Sequence, residues 1–321
     1  MPLPALRVSY ENASLETLLG DNSVLMVVGF GTGAPVSGDP RYRRVPLEPV
    51  ADAAPLEVWR GQARMRSGSH GALRWISDGD YAFVTIEVDE SGFDGVAATA
   101  RHAYLMLGTW LETAPTPHVL RIWNYLDAIN SGDGDDERYR QFCYGRAGGM
   151  RSAFGGGFPA ATAIGVRDGR RVIRVYAIAA REPGTVLENP RQLSAWRYPR
   201  QYGPSAPTFA RAMHAPTFSP QLYISGTAAI VGHASHHCDD FAAQLHETLA
   251  NLRSLLEAAD VPPPRHFGAG SVFKAYVRRP QDAAVAARQL RASLPAPALL
   301  LLQGDICRRE LLIEIDGVQT A

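Results

Sequence analysis

The chain has 321 residues, enough to bury one large core or two smaller ones. Lysine plus arginine and aspartate plus glutamate number 32 each, so the formal net charge is zero. That balance excludes a general nucleic-acid or membrane-surface binder, whose affinity rests on surplus positive charge. The three cysteines are odd in number and widely spaced, so no disulfide framework is implied. There is no basic start with an apolar run and no stretch of membrane-spanning length, so the expectation is a reduced, cytoplasmic protein. Lys274 is the only lysine; the chain has little scope for Schiff-base chemistry and many guanidinium forks for carboxylates.

The first ninety residues are rich in strand, Gly and Pro. "SVLMVVGFGTG" reads as a strand followed by Gly29, Gly31 and Gly33, but "APVSGDPRYRR" cannot open the helix that a dinucleotide fingerprint needs, so a plain glycine turn is expected. Then a pattern occurs twice. "DGVAATARHAYLMLGTWLETA" predicts an amphipathic helix, "PHVLRIWNYL" a strand, "GDDERYRQFCYGRA" a polar helix, and "FPAATAIGVRDG" and "RRVIRVYAIAA" two strands. Further on come the strand "QLYISGTAAIV", the helix "DDFAAQLHETLANLRSLLEAAD", the strand "GSVFKAYVRRP", the helix "PQDAAVAARQLRASL" and the strands "ALLLLQGDI" and "ELLIEIDG". The units start roughly 145 residues apart and read as a diverged tandem duplication. Between them, "ENPRQLSAWRYPRQYGPSAPTFARAMHAP" is too aromatic for a flexible linker and is expected to be an ordered active-site loop.

Alternation in the last strand puts Leu311, Ile313 and Ile315 on one face and Leu312, Glu314 and Asp316 on the other. A carboxylate there is either on a wet edge strand or a catalytic acid on a face that lines a pocket. "GHASHHCDD" offers His233, His236, His237, Cys238 and Asp239, but no second cluster completes a tetrahedron, so no metal is expected. Ser235 or Asp239 is instead expected to cap the following helix. "GRAGGMRSAFGGGFP" lacks the Lys-Ser/Thr ending of a phosphate loop and reads as a mobile connector.

Residues 78 to 316 resemble the RidA/YjgF-like family through "YISGTAAIVG", "AAQLHETLANLRSLLEAAD" and "LLIEIDG", with "FPAATAIGV" and "RVYAIAA" as the same ending in the first unit. The resemblance implies an α+β fold of two tandem RidA/YjgF-like (chorismate mutase-like) α/β units, with mixed sheets and helices on one face. The domains would be 1–190, a degenerate N-terminal unit, and 191–321, carrying the acid. It also implies that Glu314 faces the ligand and that Arg174 is its first-unit counterpart. The first unit reads Phe158-Pro159-Ala160-Ala161 where an arginine is common in the family, a departure from the deaminase pattern.

"RIWNYLDAIN", "ERYRQFCYGRA", "WRYPRQYGPSAPTFARA", "SGTAAIVGHAS" and "QGDICRRELLIEIDG" are similar, in this order, to the chorismatase branch. That implies a cofactor-free enzyme releasing pyruvate from chorismate to give 3-hydroxybenzoate, with or without 4-hydroxybenzoate, through an arene oxide. Water capture, giving a dihydroxycyclohexadiene carboxylate, and a non-catalytic RidA-type binder of aromatic acids are the competing readings. The partner would be the small molecule chorismate, with no nucleic acid or membrane, and the assembly a monomer or homotrimer. Cleavage needs an acid protonated near neutral pH, and burial beside an anionic substrate suits Glu314. Two substrate carboxylates need guanidinium forks; the candidates among aromatics are Arg146, Arg197, Arg200 and Arg211, each competing with a surface ion pair. Tyr144, Tyr198 and Tyr202 would add phenols and ring walls, and Gly226 and Thr227 would let backbone and hydroxyl approach the ligand, with a simple strand bulge as the competing reading. The branch implies that Cys307 assists collapse of the arene oxide; a buried small hydrophobe is the competing reading.

Overall fold

The computed structural model describes residues 1–51, 54–62, 64–150, 157–259 and 267–320. Its first strands, β1 (Arg7–Glu11), β2 (Val24–Phe30), β3 (Tyr42–Val45) and β4 (Leu56–Arg60), form a sheet in the order β1-β4-β2-β3, with the short helix α1 (Leu15–Leu19) against it. The glycines after β2 lead through a loop into β3 and no helix follows, as the sequence requires.

The next segment holds β5 (Arg66–His70), β6 (Leu73–Ser77), β7 (Tyr81–Asp89), helix α2 (Gly95–Leu111), β8 (His118–Asp127), helix α3 (Arg138–Met150), β9 (Ala160–Val166) and β10 (Val172–Ala180). After the connector come β11 (Thr185–Leu187), β12 (Ala212–His214), β13 (Gln221–Thr227), β14 (Ile230–Val231), β15 (Ala234–Ser235) and α4 (Phe241–Ala258). The chain closes with β16 (Val272–Val277), α5 (Ala283–Ser293), β17 (Ala298–Gln303), β18 (Asp305–Ile306) and β19 (Ile313–Thr320).

The duplication is visible in the pairing. One sheet contains the order β9-β8-β10-β7 and the other β17-β16-β19-β13. In each, the first pair is parallel and the other two antiparallel. Helices α2 and α3 cover one face of the first sheet and α4 and α5 one face of the second. α2 buries Val96, Ala100, Ala103, Tyr104, Leu107 and Leu111, a stripe at helical spacing. α3 is polar yet packs closely on α2, because a side chain at Gly145 or Gly149 would strike the α2 backbone at Ala97 or Arg101. The reading of "GRAGGM" as connector is corrected: it is helical to Met150, and residues 151–156 lie outside the described residues. The Asp240 side chain, rather than Ser235 or Asp239, caps α4 by accepting from the Ala243 N–H at 3.0 Å.

Three sheets share one buried layer, in which Trp59 stacks on Tyr223 and meets Trp123 edge-on. Two buried ion pairs cross it. Lys274 Nζ bonds Glu57 Oε2 at 2.9 Å, joining β16 to the N-terminal sheet, and Arg121 Nη2 lies 2.9 Å from Asp316 Oδ2, joining β8 to β19. Glu57 also accepts from Trp59 Nε1, and Lys274 lies 4.7 Å from the Trp123 ring centre. Lys274→Ala strands the Glu57 carboxylate in the layer. The expected result is a loss of about 3–5 kcal/mol in denaturant unfolding, whereas a surface arginine such as Arg66 changed to Ala should cost little.

Candidate active site

β19 lies between β13 and β16, so Glu314 is not on an edge strand. The strand begins at Ile313, and the alternation expected to include Leu311 and Leu312 fails there. Leu312 packs with Ile313 and Ile315 on the helix side, and Leu311 joins the inter-sheet layer. The preceding turn is clamped. Gln244 of α4 donates to the Glu310 carbonyl at 2.8 Å and accepts from the Leu312 N–H at 2.8 Å. Arg278 donates to the carbonyls of Ile306, Arg308 and Leu311 at 2.7–2.9 Å, and to Asn130 and Asp305. These bonds fix the backbone on both sides of Cys307 and lead directly into the strand that carries Glu314.

Opposite, Asn251 of α4 holds the turn after β13 through the Ala228 and Ile230 carbonyls, both at 2.9 Å. A side chain at Gly226 would overlap the Glu314 carboxyl; the glycine is what lets the acid lie flat against β13. The aromatic connector is ordered, tied to α4 by Asn189 on the Asn251 carbonyl and by Arg191 on Glu247 and Asn251.

Together these pieces enclose a cavity of about 420 Å³ where the two duplicated sheets meet, within the usual size of small-molecule sites. Seven of the expected residues line it: Glu314, Cys307, Arg146, Tyr198, Tyr202, Arg211 and Gly226. Four others are placed elsewhere. Tyr144 is 55% exposed on the outer side of α3. Arg197 is exposed in a short turn, and Arg200 points outward to an ion pair with Asp135. Thr227 is turned from the cavity and its hydroxyl donates to the Ser225 carbonyl at 3.0 Å. Strand alternation explains Thr227, because its neighbour Gly226 takes the cavity-side position.

Glu314 is 4% exposed. Burial, reinforced by the Asp316 charge, pushes its carboxyl up to about 8, although Arg121, Arg211 and Arg278 pull the other way. Asp316 accepts instead from Arg121 and from the Tyr276 hydroxyl at 2.9 Å. The same burial, with Glu314 close by, pushes the Cys307 thiol well up, so it is a neutral thiol at neutral pH. Arg211 donates to the Leu193 carbonyl and the Tyr198 hydroxyl, both at 2.7 Å, and its Nε has no acceptor among the described residues. Arg146 donates to the Thr208 carbonyl at 2.9 Å and lies over the Tyr104 ring. The missed contributor is Arg308, whose guanidinium carbon sits 4.0 Å from the Tyr202 ring centre at the cavity wall. It adjoins Cys307 in "CRRE", where proximity to the strand acid was the available signal. Thr162, also missed, lines the cavity and accepts from Arg121.

The histidine-rich window disperses: His233 bonds Tyr202, Ser235 bonds Glu310 and His237 faces Glu247. Among the described residues no three His, Cys, Asp or Glu side chains converge as metal ligands, and no helix is long and apolar enough to cross a membrane.

Known proteins share this architecture. A family model described as "Chorismatase FkbO/Hyg5-like, N-terminal" matches residues 57–179. A chorismatase of Streptomyces rapamycinicus is 34% identical over 99% of this chain and 98% of its own length. The chain belongs to the chorismatase family. A 3-hydroxybenzoate synthase of Streptomyces hygroscopicus is 35% identical over 87% of the chain and 86% of its own length. A crystal structure of a chorismatase superposes with a TM-score of 0.86 over 99% of both chains, at 30% identity. The α+β class and tandem units expected from the sequence are therefore those of the family.

The Glu314 carboxyl should titrate near 8 by carbon NMR of glutamate-labelled protein. Asp316→Asn removes a nearby negative charge and should lower that value; an unchanged titration would show that Asp316 does not act on Glu314.

Proposed function

We propose that the chain converts chorismate to pyruvate and 3-hydroxybenzoate with Glu314 as general acid. The observation that carries the reading is a strand carboxyl whose burial favours its protonated form, in a cavity walled by Arg146, Arg211 and Arg308. Chorismate brings two carboxylates and an enolpyruvyl ether. Guanidinium forks hold the carboxylates, and each added negative charge favours the neutral acid further.

Glu314 gives its proton to the enolpyruvyl methylene, producing an oxocarbenium-like ether. The neighbouring C4 oxygen attacks C3, the C3–O bond breaks to release pyruvate, and the C4 hydroxyl proton returns to the Glu314 carboxylate. Atoms balance without water. Opening the resulting arene oxide at its C4–O bond gives 3-hydroxybenzoate. Cys307, a neutral thiol on the cavity wall, can donate its proton to the oxide oxygen and, as thiolate, take the ring proton from C3. Opening at C3–O gives 4-hydroxybenzoate, so Cys307→Ala should keep pyruvate release and shift product away from 3-hydroxybenzoate, read by chromatography.

Glu314→Gln keeps shape and folding but has no transferable proton. Turnover should fall by roughly two to four orders of magnitude. Activity that survives this change and disappears in Asp316→Asn would reassign the acid. The protonated form is the active one, so kcat/KM should hold at lower pH and decline as pH rises through about 8, and the decline in kcat, which reports the substrate complex, should come at higher pH. Arg211→Ala should weaken substrate binding by about 1.5–3 kcal/mol, read as a raised KM, whereas Arg197→Ala, outside the cavity, should leave KM unchanged.

A further inference from the structure

A second cavity, of about 570 Å³, lies between the N-terminal sheet and the end of β10. Arg43 and Arg44 of β3, Arg74 of β6, Arg170 and Arg174 line it, against two carboxylates. Both carboxylates are engaged. Asp168 accepts from Arg174 Nη2 at 2.7 Å, and Glu87 accepts from the Tyr176 hydroxyl.

The arginines are less fully satisfied. Arg43 donates Nε to Thr85 Oγ1 at 3.0 Å and Nη1 to the Tyr42 carbonyl at 2.6 Å, but its Nη2 is buried without an acceptor among the described residues. Arg174, 5% exposed, leaves Nη1 in the same condition. Arg43 and Arg174 both line the cavity, and each keeps a buried guanidinium nitrogen without an acceptor among the described residues, which is costly unless something brings oxygens to it. Burial also depresses the Arg43 pKa, although Glu87 pulls the other way.

The pairing register identifies the place. Arg174 stands opposite Tyr125 across β10 and β8, as Glu314 stands opposite Tyr276 across β19 and β16. The second cavity is the first unit's counterpart of the active site, with an arginine where the acid stands. Its rim is apolar on one side, with Pro35, Pro46 and a Val36 that is 85% exposed.

We propose that this cavity is a second ligand site, which takes a small organic acid by its carboxylate between Arg43 and Arg174, with the apolar body against Pro35, Val36 and Pro46. A carboxylate offers two coplanar acceptors to guanidinium forks. Inorganic phosphate offers the oxygens but leaves the apolar side uncovered.

Calorimetric titration of the full chain with benzoate, and separately with inorganic phosphate, at constant ionic strength, tests this. A benzoate binding event should persist in Arg211→Gln, which alters the first cavity, and weaken at least tenfold in Arg174→Gln. Should Arg174→Gln fail to fold, the exposed pair Arg44→Gln and Arg74→Gln together should weaken the same event severalfold while chorismate turnover stays unchanged. Binding that disappears with Arg211→Gln, or that ignores the substitutions at Arg174, Arg44 and Arg74, overturns the site. Phosphate binding without benzoate binding overturns the ligand class. A parent protein that failed to turn over chorismate would refute the reading of the first cavity and leave this titration intact.

Discussion

Glu314 and Asp316 project from the same face of one central strand into a buried layer, and only Asp316 is ion-paired among the described residues. Two carboxyl groups so placed cannot both carry charge cheaply. Arg121 stabilises charge on Asp316, and that charge, added to burial, favours the proton on Glu314. The rest of the site serves this asymmetry. Gly226 leaves room for the acid, Gln244 and Arg278 fix the turn that enters the strand, and the two sheets exclude water from its far side.

The tandem units explain why Arg121 is available. It comes from β8 of the first unit, whereas the acid comes from β19 of the second, so the electrostatics of the site are made across the contact between repeats. β18 crosses the same way, leaving the second unit to pair with β9, and it delivers the chain at Cys307. The acid and Asp316 come from the second unit, and the Arg121 that pairs with Asp316 comes from the first.

Helices and strands were legible because their apolar periodicities are strong: the stripes of α2 and α4 are those of the sequence. Glu314, Arg211 and the aromatic connector were legible because a lone acid in an apolar strand and arginines among tyrosines are unusual. Ranking the arginines was not possible, since "WRYPRQY" does not reveal which side chains turn inward. Arg197 and Arg200 face solvent, and the inward positions fall to Tyr198 and Tyr202. Similarly "ALLLLQGDI" reads as one strand, but at Gly304 it leaves one sheet for another, a tertiary event that local pattern cannot encode. The Arg121–Asp316 and Lys274–Glu57 pairs join residues about two hundred positions apart and leave no local trace.

The burial of Lys274 has a consequence for handling the protein. As the chain's one lysine, held against Glu57 in the layer between three sheets, it presents no side-chain amine to solvent in the folded molecule. A lysine-directed reagent therefore modifies that position only in molecules whose sheets have separated. The extent of labelling over time becomes a clock for opening of the whole assembly, read at a single residue by mass spectrometry.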